Sequence, residues 1–142
     1  MRPYILSQTS PTLEPLLERT RIIVDGIPNR VLDAKNKPIE ISCHHVARVV
    51  AALEPKVKVI DGHILNGYNH SWLATPDPFF IIDPYPPVAY PGPWLIYMGA
   101  LSPWKKIYNP ERKPFMITDD FIDEAERILE AYTAARDFLV MP

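Results

Sequence analysis

Three residues of different type, Cys43, His70 and Asp83, sit at points of the chain where their chemistries can converge. Cys43 is the only cysteine and follows Ser42 at the start of the run CHHVARVVAALE. A helix beginning there has unpaired N–H groups and a positive dipole end beside the thiol, and both favour the thiolate. His70 lies in the strand-like string Asn69-His70-Ser71-Trp72-Leu73, and Asp83 ends the next apolar run, Phe79-Phe80-Ile81-Ile82. In an antiparallel hairpin a residue early in one strand lies near a residue late in the next, so His70 and Asp83 can pair. The carboxylate then fixes the imidazole tautomer and leaves the other ring nitrogen for the thiol. That is the nucleophile, base and orienter logic of covalent acyl transfer: sulfur attacks a carbonyl carbon, histidine moves the proton, and aspartate steadies the imidazolium. Two plainer readings use the same residues. A lone cysteine can be a small buried hydrophobe, and thiolate, imidazole and carboxylate are all metal ligands. The three residues lack the paired short spacing of structural zinc, so no metal and no cofactor is expected.

The neighbouring polar residues sort by what they could add. His44 and His45 adjoin Cys43 and point in different directions from a helix; one can line the site, and the competing reading is a pair of surface histidines. Asn69 stands next to His70, and it and His44 are expected along the substrate groove. An oxyanion needs donors, and the backbone N–H of Cys43 is the first candidate, ahead of the side chains of Asn69, Asn36 and the distant Gln8. His63 follows Asp61-Gly62 in an expected turn. The acids Asp119, Asp120, Asp123, Glu124 and Glu126 read as a helix start and a solvated face. The five glycines form no phosphate-binding pattern.

The elements that must position these groups can be read from punctuation and period. Ser10-Pro11 opens a first helix that runs to about Val24 and stops at Asp25-Gly26. Residues 27–40 read as irregular connection with one short strand. Ser42 caps a second helix, striped by Val46, Val49, Val50 and Leu53, which ends before Pro55. Strands follow at Val57–Ile60, Tyr68–Ala74 and Phe79–Ile82, divided by Gly and Pro turns as in an antiparallel meander. Trp94–Leu101 is a fourth apolar run. Thr118-Asp119-Asp120 starts a last helix with apolar positions at Phe121, Ile122, Ala125, Ile128, Leu129, Tyr132, Ala135 and Leu139. The order is that of an α+β chain in one domain, residues 1–142, with an antiparallel sheet of 3–5 strands carrying the Cys43 helix and the C-terminal helix.

Composition narrows the function classes. Net charge is −2 and the isoelectric point about 6.1, without the basic stripe of a nucleic-acid binder. Prolines number 17 of 142 residues, but 47% of the chain is hydrophobic, enough for a core. No run approaches a membrane span or a signal peptide, so the expected setting is the cytoplasm, or delivery as an effector without a classical signal peptide. Between Val59 and Trp104 there is no Lys or Arg, while nine of the fifteen aromatics and eight prolines fall there. Such a stretch builds a sheet core, and it also suits the walls of an apolar groove; Trp72 and Tyr85 are expected beside the site, and segment 68–104 could hold a protein partner.

The order of a cysteine at a helix start, a histidine in a strand and an aspartate ending the next strand resembles the papain-like cysteine hydrolase superfamily, and most closely its transglutaminase-like branch. The strings NHSWL and IIDPYP are similar to that branch's His-x-Trp strand and Asp-Pro ending, and the resemblance covers roughly residues 40–86. It implies a papain/transglutaminase-like core with Cys43 as nucleophile, His70 as base and Asp83 as orienter. It implies cleavage of a peptide or protein amide, as a protease, amidase or deamidase, through an acyl-enzyme. A transglutaminase or acyltransferase using the same residues, and a non-catalytic protein-binding module of the same fold, are the alternatives.

Overall fold

A computed structural model describes residues 10–65, 67–86, 92–110 and 115–140, with side chains through Asp137. Helix α1, Glu14–Gly26, is preceded by a turn in which the N–H groups of Leu13 and Glu14 both donate to Ser10 O. The helix therefore starts a turn later than Ser10-Pro11 suggests. Pro15 falls in its first turn, where no backbone donor is needed. The connection that follows has one isolated bridge, Leu32 to Pro38.

Helix α2, Cys43–Leu53, begins and ends where capping and Pro55 require. Its Val46, Ala47, Val49 and Val50 are all nearly sealed from solvent. A helix that is apolar on several sides belongs inside, and α2 is the central helix of the molecule. It packs on the sheet on one side and on α1 and the last helix, α3 (Asp119–Val140), on another. The C-terminal helix was expected to pack on the sheet; it packs instead against α2 and α1, because α2 occupies that seat. Its stripe turns inward at Phe121, Ile128 and Tyr132, while Ile122 is exposed. Leu139 lies outside the residues whose side chains are described.

The sheet has five antiparallel strands: β1 (Lys58–Ile64), β2 (Tyr68–Ala74), β3 (Phe80–Asp83), β4 (Trp94–Tyr97) and β5 (Tyr108–Pro110), in the spatial order β4-β3-β2-β1-β5. β1 runs straight through Asp61-Gly62, where the sequence suggests a turn. The reason is packing: a Cβ on Gly62 would lie 2.3 Å from the Asn109 carbonyl oxygen and 2.5 Å from Trp72 Cη2. Gly62 is a close-approach glycine, and it lets β5 and Trp72 close over β1. The last strand, β5, follows a 3₁₀ turn at Pro103–Lys106 and pairs Ile64 with Tyr108.

Side chains alternate between the two faces. Leu73, Ile82 and Leu95 face the helices and share a core with Val46, Val50, Ile128 and Tyr132. Trp72, Ile81, Ile96, Trp94, Trp104 and Tyr108 form an aromatic core on the other face. β3 pairs with β2 only at Leu73–Ile82 and Ala74–Ile81. Beyond those residues the two strands part, and the N-terminus of α2 lies at this opening. Among the described residues no helix is long and apolar enough to cross a membrane.

Candidate active site

Cys43 is the first residue of α2, and its helix start is organised by a neighbour. His45 Nδ1 accepts the Ser42 N–H at 3.0 Å and contacts Ser42 Oγ at 2.9 Å. It stands at the position where a capping box has Glu or Gln. Since Nδ1 accepts a backbone proton, Nε2 donates, to Glu124 Oε1 on α3 at 2.9 Å. His45 is thus a buried cap that ties α2 to α3, and neither a groove residue nor a surface histidine.

His70 and Asp83 meet on the aromatic face. Their side chains are 2% and 0% exposed, and His70 Nε2 donates to Asp83 Oδ2 at 2.7 Å. Asp83 has two further donors: the Tyr108 hydroxyl on Oδ2 at 2.6 Å and the Tyr85 N–H on Oδ1 at 3.1 Å. Burial, with the Asp83 charge and this hydrogen bond, pushes the Tyr108 phenol far up, so it remains a donor. A buried carboxylate with three donors, two on one oxygen and one on the other, has its orientation set.

With Nε2 committed to Asp83, the ring's Nδ1 is left for Cys43, and each of the two side chains favours the charged form of the other. The Ser71 N–H, on the side of β2 that β3 has left, and the His44 side chain also act to lower the thiol. Burial alone raises the thiol. The hydrogen bonds from His44 and His70, the His70 charge and the Ser71 N–H outweigh it and bring the thiol from its usual 9.0 to about 6. Burial likewise lowers an imidazole, but the Asp83 and Cys43 hydrogen bonds and charges carry His70 from 6.5 to about 9. Both shifts favour the thiolate and imidazolium form of the pair.

A cavity of about 420 Å³ opens beside the sulfur, lined by Ser42, Cys43, Ile64, Leu65, Tyr68, Asn69, His70 and Tyr85. Asn69 and Tyr85 therefore stand where the sequence suggests. Trp72 does not: it is buried behind His70, with ring centroids 6.1 Å apart, and meets Tyr108 edge-on at 5.1 Å. It backs the histidine and does not wall the groove. His44, expected along the groove, is not among the residues that line this cavity. Asn36 is held in a turn, its N–H on Asp33 O, and is not among the lining residues. Gln8 lies outside the described residues. His63 belongs to β1, opposite Asn109. A larger cavity of about 610 Å³ lies between α1, the end of α2 and α3. It contains no nucleophile, and two of its charged groups, Arg19 and Glu54, pair with each other. Cys43 and His70 line the smaller one.

Tyr108 and the polar group behind His44 escaped the sequence. The Tyr108 strand is three residues long and has no period to read. Among the described residues no group of three or more His, Cys, Asp or Glu side chains is placed to hold a metal ion. No family model, curated protein or solved structure matches the chain.

Proposed function

We propose that the chain is a cysteine hydrolase of papain/transglutaminase-like fold that cleaves a peptide or protein amide through an acyl-enzyme on Cys43. The observation that carries this reading is the place of His70: one ring nitrogen on a buried carboxylate held by two further donors, the other left for a thiol at a helix start. The Cys43 thiolate attacks the amide carbonyl carbon, and the carbonyl π pair moves to oxygen. The Cys43 N–H, unpaired at the start of α2, is suited to receive that oxyanion. As the C–N bond breaks, the His70 imidazolium gives its Nδ1 proton to the leaving nitrogen, and an amine departs. Water then attacks the thioester while His70 takes its proton, and the C–S bond breaks to return the thiolate and a carboxylic acid. Proton and electron pairs return to their starting places.

The cavity wall supports a neutral peptide substrate. Apart from the catalytic pair, it contains no ionisable groups other than the tyrosines, and Ile64, Leu65, Tyr68 and Tyr85 make it apolar and aromatic. The rate of Cys43 alkylation by iodoacetamide as a function of pH tests the reading. The expected curve rises around pH 6. A rise near 8.5, the ordinary thiol value, unchanged in His70→Ala, would contradict it.

A further inference from the structure

The chain reverses between β1 and β2 at the cavity beside Cys43, and the reversal uses a residue that such a turn disfavours. Leu65 follows the last residue of β1 with φ 52°. Ile64 and Tyr68 are paired across the hairpin, and the Gly67 N–H donates to Ile64 O at 3.2 Å. A positive φ suits glycine, asparagine or aspartate; a larger side chain crowds its own backbone there. The other positive values among the described residues belong to Asn36 and Gly67, which fit the rule. The turn cannot move along the chain to spare Leu65. Ile64 and Trp72 are buried in the aromatic core, and a slip of one residue would turn a whole strand's side chains to the other face.

The fold gains nothing from the leucine in return. Leu65 is 55% exposed and belongs to neither core. It does line the cavity that Cys43 and His70 share. Two more exposed aromatic side chains line it, Tyr68 at 68% and Tyr85 at 47%. Tyr68 comes there by alternation along β2, two residues before His70 on the same face. Tyr85 is placed by its N–H bond to Asp83 Oδ1. Single exposed apolar residues are ordinary, but a group of them around one cavity marks a binding surface. Strain kept where the fold does not use it points the same way.

We propose that Leu65 is the specificity-determining residue of the Cys43 site: with Tyr68 and Tyr85 it holds an apolar or aromatic side chain on the substrate residue whose carbonyl is attacked. The proposal rests on Cys43 being the nucleophile. That substrate residue is the one joined to sulfur in the acyl-enzyme, so its side chain is the one kept within reach of the cavity. Recognition is by area and by exclusion. A leucine or phenylalanine of the substrate covers apolar surface that is otherwise wet. A charged side chain meets no opposite charge, since outside the Cys43–His70 pair no lining residue is charged, and it gives up hydration without return. The hairpin that presents Leu65 also carries His70 on β2, so one short piece of chain sets the recognised side chain relative to the base.

Labelling of Cys43 by N-acetyl-aminoacyl chloromethyl ketones tests this. The thiolate displaces chloride, and the side chain beside the ketone is varied as alanine, leucine, phenylalanine or aspartate. Each second-order rate is divided by that of iodoacetamide on the same protein, which cancels differences in thiol reactivity. In the wild type the leucine and phenylalanine probes should exceed the alanine and aspartate probes by about tenfold or more. Leu65→Asn and Leu65→Ala should each bring that ratio down to about threefold or less. The urea midpoint of Leu65→Asn should equal or exceed that of the wild type, because asparagine tolerates the positive φ. Equal ratios for all four probes in the wild type would overturn the apolar site. A preference that persists in both variants would overturn the role of Leu65. A lower urea midpoint in Leu65→Asn would show that the fold uses the leucine, and would remove the ground for the assignment. In each of these cases the nucleophile stands if iodoacetamide alkylation still rises around pH 6. Alkylation that rises only near 8.5 removes the nucleophile reading and the substrate site with it.

Discussion

His70 donates Nε2–H to Asp83 at 2.7 Å, and so its only remaining nitrogen is the one that meets Cys43. The tautomer is set by a carboxylate that is itself held by Tyr108 and the Tyr85 N–H. Replacing that carboxylate with a near-isostere tests what it does. Asp83→Asn keeps the shape and removes the charge that raises His70. The acylation rate should fall by on the order of 10²-fold or more, with KM changing far less. Asp83→Ala leaves two buried partners, His70 and Tyr108, and the Tyr85 N–H unpaired and should also cost about 3 kcal/mol in denaturant unfolding.

Tyr108→Phe removes one donor from the same buried charge. A hydrogen bond to an ionised group contributes about 2 kcal/mol, and urea unfolding should show a loss of that size. The hydrolysis rate should fall less than in Asp83→Asn, since the His70 bond survives.

The pH dependence has two limbs of opposite sign. Cys43 is lowered to about 6, so activity is lost as pH falls through that value and the thiolate is protonated. His70 is raised to about 9, so activity is lost as pH rises through that value and the proton for the leaving nitrogen disappears. The profile of kcat/KM should be a bell between these limits. A profile that keeps rising through pH 9 would contradict the role of His70.

Gly62→Ala should destabilise the fold by about 2 kcal/mol, the scale of an overpacked core, because its Cβ would press on the Asn109 carbonyl and the Trp72 ring. The damage should reach the site as well, since β5 carries Tyr108 to Asp83. Thermal melting and hydrolysis should decline together.

Tyr85→Ala takes an aromatic wall from the cavity while leaving its main-chain bond to Asp83 in place. KM for a peptide substrate should rise by about tenfold with kcat little changed, the pattern of lost uniform binding.

What could be read in advance followed physical locality. The start of α2 is written in Ser42 and its end in Pro55, and strand order brings His70 and Asp83 to one face of neighbouring strands, where their side chains meet beyond the last paired residues. Gly62 was misleading because a glycine needed for close packing looks, in sequence, like one needed for a turn. Tyr108 was invisible because β5 is three residues of non-local pairing. His44 is expected along the groove, but its ring is held by Ser71 instead, and Ser71 faces Asp61 across two strands, a register that no residue near Cys43 encodes.

The central claim is a covalent acyl intermediate on Cys43, and intact-mass measurement during turnover of a peptide thioester tests it most directly. The account predicts an acyl adduct mapping to Cys43 in the wild type, strongly reduced in His70→Ala and absent in Cys43→Ala. A wild type that turns over or binds the substrate without ever carrying the adduct, or an adduct that persists in Cys43→Ala, would contradict it.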